Sequence, residues 1–161
     1  MSQAELRIKD FLKQTLELTK NHLELGQGGP FGAIVVQGDK IVGRGFNKVT
    51  SLNDPTAHAE VQAIRDACKT LSTFQLSGCE IFSTCEPCPM CLGAIYWARP
   101  KALYFASSRL DAADAGFDDD FIYKEIVLPL DQRSIPTVHV ATEGHTDVFQ
   151  AWKLNEDRVD Y

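Results

Sequence analysis

The chain has no apolar stretch near the length of a membrane-spanning helix. Nor does an apolar run of the signal-peptide kind stand near its first residue. A secreted or membrane-inserted protein is therefore not expected. Clusters of basic residues are missing too. Sixteen Lys and Arg are scattered against 22 Asp and Glu, giving a net charge of −6 and a pI of about 5.1. Nucleic-acid affinity rests on grouped cations facing phosphates, so no nucleic-acid partner is expected. Repeats, low-complexity tracts and linkers are also lacking. Cysteine does not form a disulfide framework: the five are an odd number, and three of them fall between Cys85 and Cys91. Free or metal-bound thiols in a reducing, cytoplasmic setting are the expectation. What remains is a 161-residue chain with 44% apolar residues, enough for one globular domain with a real core.

Two short stretches carry the chemistry. One is Thr56-Ala57-His58-Ala59-Glu60, and the other is Cys85-Glu86-Pro87-Cys88-Pro89-Met90-Cys91. Together they supply an imidazole, two thiols and a carboxylate. Cysteines three apart sit on one face of a helical turn and can grip one cation. Residues before proline avoid the helical region, which pushes Glu86 and Cys88 toward extended backbone. Pro89 suits the first helical position. Cys88 is thus expected as a helix N-cap and Cys91 in the first turn, where unpaired N–H groups and the helix dipole favour thiolates. His58 is the third candidate ligand. Residues two apart on a helix point in different directions, so His58 and Glu60 converge only if their helix begins near Ala57–Ala59.

Three protein ligands leave a tetrahedral position open, which separates catalytic zinc from structural zinc. Zinc lowers the pKa of bound water to about 7. Two thiolates offset the cation's charge and weaken that effect, so a nearby base is needed; Glu60 is the candidate. A competing arrangement recruits Cys85. With Cys85, Cys88, Cys91 and His58 the chain would build a closed structural zinc site, a binding module with no turnover. That arrangement gives Glu60 no task.

The remaining pattern orders the elements. Ser2 and Glu5 form a capping box ahead of a helix running to about Leu25. Gly26, Gly28, Gly29 and Gly32 make a turn; they lack the Lys-Ser/Thr ending of a phosphate loop. Strands are predicted at 31–36 and 40–46, joined through Gly38-Asp39, and at 80–83, 102–105 and 137–141. Helices are predicted from about 57 to 71, from Cys88 to about Arg99, over 121–127 and over 146–155. A loop is expected from Ser107 to Asp120, with acids at Asp118-Asp119-Asp120. The result is an α/β protein with a five-stranded mixed sheet, since strands separated by helices need parallel crossovers. Both candidate metal-binding helices would start at one edge of it, the usual ligand crevice of α/β folds.

With His58-Ala59-Glu60 and Pro87-Cys88-Pro89-Met90-Cys91 in place, the chain resembles the cytidine deaminase-like superfamily of zinc nucleobase deaminases. Within it, the chain is most similar to the bacterial guanine deaminases. Gly29-Pro30-Phe31-Gly32-Ala33, Asn53-Asp54-Pro55, Gly93-Ala94-Ile95-Tyr96-Trp97-Ala98, Asp111-Ala112-Ala113, Gly116-Phe117-Asp118-Asp119, Phe149-Gln150-Ala151-Trp152 and the final Tyr161 carry that likeness. The resemblance implies a three-layer α/β/α fold and one Zn2+ per subunit. It also implies hydrolysis of guanine to xanthine and ammonia, with zinc-bound hydroxide attacking and Glu60 shuttling protons. Asn47, Asp119 and Tyr161 would hydrogen-bond the purine, Phe31 and Trp97 would shape or stack on its faces, and Ala59 would offer backbone groups. A homodimer follows, with the segment of about 145–161 exchanged so that Tyr161 closes the other subunit's pocket. tRNA adenosine deaminases and cytosine or cytidine deaminases share the metal motif and are the alternative activities. The acidic balance and the Tyr161 ending oppose the tRNA reading.

Overall fold

The computed structural model describes residues 1–117 and 119–161, so Asp118 lies outside the described residues. The chain forms two compact units, Met1–Asp120 and Phe121–Tyr161. Helix α1 (Gln3–Glu24) opens the first. Its start is fixed by the expected capping box: Glu5 N–H donates to Ser2 Oγ at 3.2 Å and Ser2 N–H to Glu5 Oε2 at 2.7 Å. Then come β1 (Gly32–Gln37), β2 (Lys40–Phe46), the single-turn α2 (Val49–Leu52), α3 (Ala59–Leu71), β3 (Cys79–Cys85), α4 (Pro89–Ala98), β4 (Ala102–Ser107) and α5 (Arg109–Asp114). Helix α6 (Asp120–Ile126) and helix α7 (Asp147–Leu154) follow, with a short 3-10 turn at Leu130–Gln132.

The sheet order is β2-β1-β3-β4, with β1 antiparallel to both neighbours and β3 parallel to β4. Alternation along β1 splits its side chains between two layers. Ile34 and Val36 join Phe11 of α1 and Phe82 of β3, where the Phe82 ring lies 5.1 Å from Phe11 and 5.0 Å from Tyr104. Ala33 and Val35 face the other way, onto Ala59, Ala63 and Ala67 of α3 and Ile95 and Ala98 of α4. The three-layer α/β/α arrangement is thus present. Glu80 is buried on β3 and offset by Arg7 at 2.8 Å and Lys101 at 3.7 Å.

Among the described residues the sheet has four strands, not five. Thr137–Ala141 alternates as a strand would, and its backbone is irregular in the structure. Val138 and Val140 are exposed, and a strand with no ladder partner has nothing to hold its N–H and C=O groups in register. The stretch expected as loop between Ser107 and Asp120 contains α5, which is too short to show an apolar stripe.

One consequence of the strand directions sets up the rest. Because β1 alone runs against the others, β2, β3 and β4 all end at the same sheet edge, and β1 begins there. Phe31, Asn47, Glu86 and Arg109, which flank those four strand ends, are gathered at that edge.

Candidate metal centre and cavity

His58 caps α3 with extended backbone (φ −72°, ψ 155°), and Cys88 caps α4 in the same way (φ −64°, ψ 167°) with Pro89 at the first helical position. The loop ahead of His58 is held by Asp54, whose Oδ1 accepts from Thr56 N–H at 2.8 Å and Thr56 Oγ1 at 2.7 Å. Those bonds hold the Asp54 carboxyl below its usual range. Two helix N-termini therefore meet, as the motif spacing predicted.

Between them, His58 Nδ1 lies 3.5 Å from Cys88 Sγ and 3.5 Å from Cys91 Sγ, and the three donor atoms are all within 4.8 Å of one another. The set can be tested against a metal. Zinc bonds of about 2.3 Å to sulfur and about 2.0–2.1 Å to nitrogen, at tetrahedral angles, separate the two donors by about 3.6 Å. The observed spacing meets that requirement, so this His/Cys/Cys group fits one Zn2+. The Cys91 thiol donates to Cys88, which pulls Cys88 down to about 4, with His58 adding to the effect, and pushes Cys91 up. The Cys88 thiolate in turn raises the His58 pKa.

Cys85 stands apart from this group. Its thiol donates to the Ser108 carbonyl at 3.5 Å, and burial pushes it up to about 11. Among the described residues it is no member of the donor cluster, so the closed three-thiolate site is not what the chain builds.

Glu60, the second residue of α3, is buried beside the cluster at 6% exposure. Ser83 Oγ donates to its Oε1 at 3.1 Å. Burial pushes its carboxyl pKa up, against the opposing pull of its own backbone N–H, Cys91 and Ser83. Helix α3 reaches this position because β2 offers glycine beneath it. A Cβ on Gly43 would lie 2.6 Å from Ala63 O, and one on Gly45 would overlap Ala59 O and Ala63 N. No side chain fits there without lifting the helix.

A cavity of about 270 Å³ opens over His58, Glu60 and Cys88. It takes in Phe31, Asn47, Ala59 and Asp119, four of the six residues expected to contact a ligand. Asn47 Oδ1 accepts from Gly29 N–H and Val49 N–H, both at 3.3 Å, which leaves its NH2 as the donor for the cavity. Phe31 is braced edge-on by Phe117 at 4.8 Å. Trp97 is 64% exposed on α4 and does not line this cavity, and Tyr161 belongs to the second unit. Glu86, Arg109, Ala112 and Phe117 also line it and were not singled out as site residues from the sequence. The Ser108–Asp111 spacing of a capping box was the available signal for the helix carrying two of them.

Residues 6–107 match the family model for the cytidine and deoxycytidylate deaminase zinc-binding region. The chain belongs to this deaminase family. Among individual relatives, guanine deaminase from Bacillus subtilis (strain 168) is 53% identical over 94% of this chain and 97% of its own. A crystal structure of guanine deaminase from Bacillus subtilis superposes with a TM-score of 0.93 at 50% identity, covering 100% of this chain and 99% of that one. A tRNA-specific adenosine deaminase from Aquifex aeolicus is 43% identical over 66% of this chain and 68% of its own. The zinc-binding region of the deaminase family ends at Ser107, so α5, Phe117 and Asp119 fall outside the stretch that defines the family.

Proposed function

We propose that this chain is a zinc-dependent guanine deaminase that hydrolyses guanine to xanthine and ammonia, with His58, Cys88 and Cys91 as zinc ligands. The observation that carries this reading is the cavity itself. It joins a zinc-fitting donor set and the buried carboxylate of Glu60 to the Asp119 carboxylate, the Asn47 amide and the Phe31 ring, in a space suited to a purine. The full-length likeness to guanine deaminase selects the base.

Zinc, when bound, supplies the Lewis acidity that makes water nucleophilic near neutral pH. Glu60 accepts the proton that water sheds as its oxygen bonds to C2 of guanine. It passes that proton to the neighbouring ring nitrogen, then takes the remaining proton from the new C2 hydroxyl and delivers it to the amino group, so that C2=O forms, the C2–N bond breaks and ammonia leaves. Burial favours the protonated form that Glu60 takes between the two transfers. The NH2 of Asn47 offers a donor to a ring acceptor, and the Asp119 carboxylate accepts from ring N–H groups. Phe31 lies against the ring, and Ala59 contributes backbone.

The same reading includes a homodimer with exchanged C-terminal segments, so that Tyr161 and Trp97 act in a pocket completed by a second copy. It is supported by residues 141–161, all exposed in the single chain. There Val148, Phe149, Trp152, Leu154, Val159 and Tyr161 are 42–81% exposed. Six exposed apolar side chains within one short segment support an interaction face. The five unbridged cysteines support a cytoplasmic setting, and among the described residues no helix is long and apolar enough to cross a membrane.

Guanine carries an N9–H that guanosine lacks, and a pocket closed by the tail has no room for ribose. Ammonia release from guanine should be abolished by a chelator and restored by zinc, with guanosine turned over far more slowly. Comparable rates on the nucleoside, or preference for a tRNA adenosine, would reject the free-base reading.

A further inference from the structure

We propose that Glu86 is a positioning residue that holds the ligand-facing wall of the cavity in register with the zinc ligands; this rests on the deaminase reading above. Two consecutive residues at the end of β3 grip three consecutive residues at the end of β4. Glu86 N–H donates to Ser107 O at 2.8 Å, Cys85 Sγ donates to Ser108 O at 3.5 Å, and Glu86 Oε2 accepts from Arg109 N–H at 3.1 Å. The first bond continues the parallel ladder that pairs Cys85 with Ser107. The last does not. It sets a carboxylate on a first-turn N–H of α5, a donor with no partner inside its own helix.

The placement links two halves of the site. Two residues beyond Glu86 is Cys88, a proposed zinc ligand. Beyond Arg109 the chain carries Ala112, then Phe117, which braces Phe31, then Asp119, the proposed acceptor for the ring N–H groups. A shift of α5 against the Cys85–Cys88 loop would move Ala112, and Phe117 whose N–H donates to the Ala112 carbonyl at 2.9 Å, relative to the three ligands while leaving those together. The fold does not depend on this bond. Helix α5 keeps its own capping box, in which Asp111 N–H donates to Ser108 Oγ at 3.3 Å and Ser108 N–H to Asp111 Oδ2 at 2.7 Å. Glu86 is half-buried and lines the cavity.

The hydrogen bond can be removed from either side. Glu86→Ala removes the acceptor and Glu86→Gln keeps an oxygen for it. Arg109→Pro removes the donor at a first helical position, where proline is tolerated. Ser108 already has the extended backbone (φ −80°, ψ 165°) that a residue before proline adopts. Arg109→Ala controls for the lost side chain. Glu86→Ala should raise KM for guanine roughly tenfold, with kcat changed by less than about threefold, as expected for loss of one charge-assisted hydrogen bond that positions a binding group. Its zinc content should stay at that of wild type. Glu86→Gln, which keeps the acceptor oxygen but not its charge, should recover most of the KM loss. Arg109→Pro should raise KM over Arg109→Ala by the same factor, and should add nothing in a Glu86→Ala background. If Glu86→Ala does not fold, the Arg109 pair reads the same bond. An unchanged KM in Glu86→Ala, equal damage from Glu86→Gln, or loss of zinc would each overturn the proposal. A wild-type chain that releases no ammonia from guanine would instead strike the deaminase reading and take the proposal with it.

Discussion

Glu60→Gln isolates the proton shuttle from the metal. The amide is nearly isosteric, and its Oε1 can still accept from Ser83 Oγ, the 3.1 Å bond that fixes the side chain. It cannot carry a proton from water to a ring nitrogen and on to an amine. One general acid–base transfer contributes about 10²- to 10⁴-fold, and Glu60 is assigned two in sequence. Because such contributions do not add simply, a fall in kcat of at least about 10³-fold, equivalent to about 4 kcal/mol of barrier, is the expected outcome. Zinc content should be unchanged, since Glu60 is no member of the donor cluster. Stability supplies an independent reading. Burial raises the Glu60 pKa, so the folded state disfavours its charged form. The metal-free wild type should therefore lose stability as pH rises from the ordinary carboxylate range through that raised value, and metal-free Glu60→Gln should lack this component. Ammonia release by zinc-replete protein is the decisive assay. A metal-replete Glu60→Gln within tenfold of wild-type turnover would refute the shuttle.

Three further outcomes follow from the geometry. Cys85→Ser should keep zinc and turnover, because a hydroxyl also donates to the Ser108 carbonyl; a metal-poor variant in elemental analysis would bring back the closed zinc site. Gly45→Ala should destabilise the protein by about 1–3 kcal/mol and weaken zinc retention, because the new Cβ meets the backbone of α3 and must displace the helix that carries His58 and Glu60; a thermal transition and zinc affinity like those of wild type would contradict this. In chelated protein, Cys88, drawn down to about 4, should be alkylated by iodoacetamide from mildly acidic pH upward, whereas Cys85, pushed up to about 11, should label only in strong alkali; mass-spectrometric mapping that found one pH profile for both would exclude the assigned thiolate.

The metal centre was legible because its determinants are local. Backbone preference before proline, proline at a first helical position and the divergence of residues two apart on a helix are properties of a few neighbouring residues. They placed Cys88 as an N-cap and the start of the other helix near Ala57–Ala59, where the structure has His58 as its cap. The ligand wall was less legible. Arg109 and Ala112 sit on a six-residue helix with no apolar stripe, and only the strand order brings them to His58. Trp97 shows a different limit. Helix α4 is apolar nearly all round, so its sequence does not say which side is core. Cys91, Ile95 and Ala98 are buried, which turns Tyr96 and Trp97 outward.

The stretch 137–141 shows why the strand count was missed. Alternation at Thr137, Val138, His139, Val140 and Ala141 encodes a willingness to pair, and pairing needs a neighbouring backbone that a single chain need not supply. The strand β4 is a sheet edge whose Phe105 is 44% exposed, and the valines of 138 and 140 are more exposed still. Both are features that natural sheets normally cover or charge. Under the dimer reading, truncation before residue 145 should yield monomers by sedimentation. A truncated chain that stayed dimeric would place the subunit contact elsewhere.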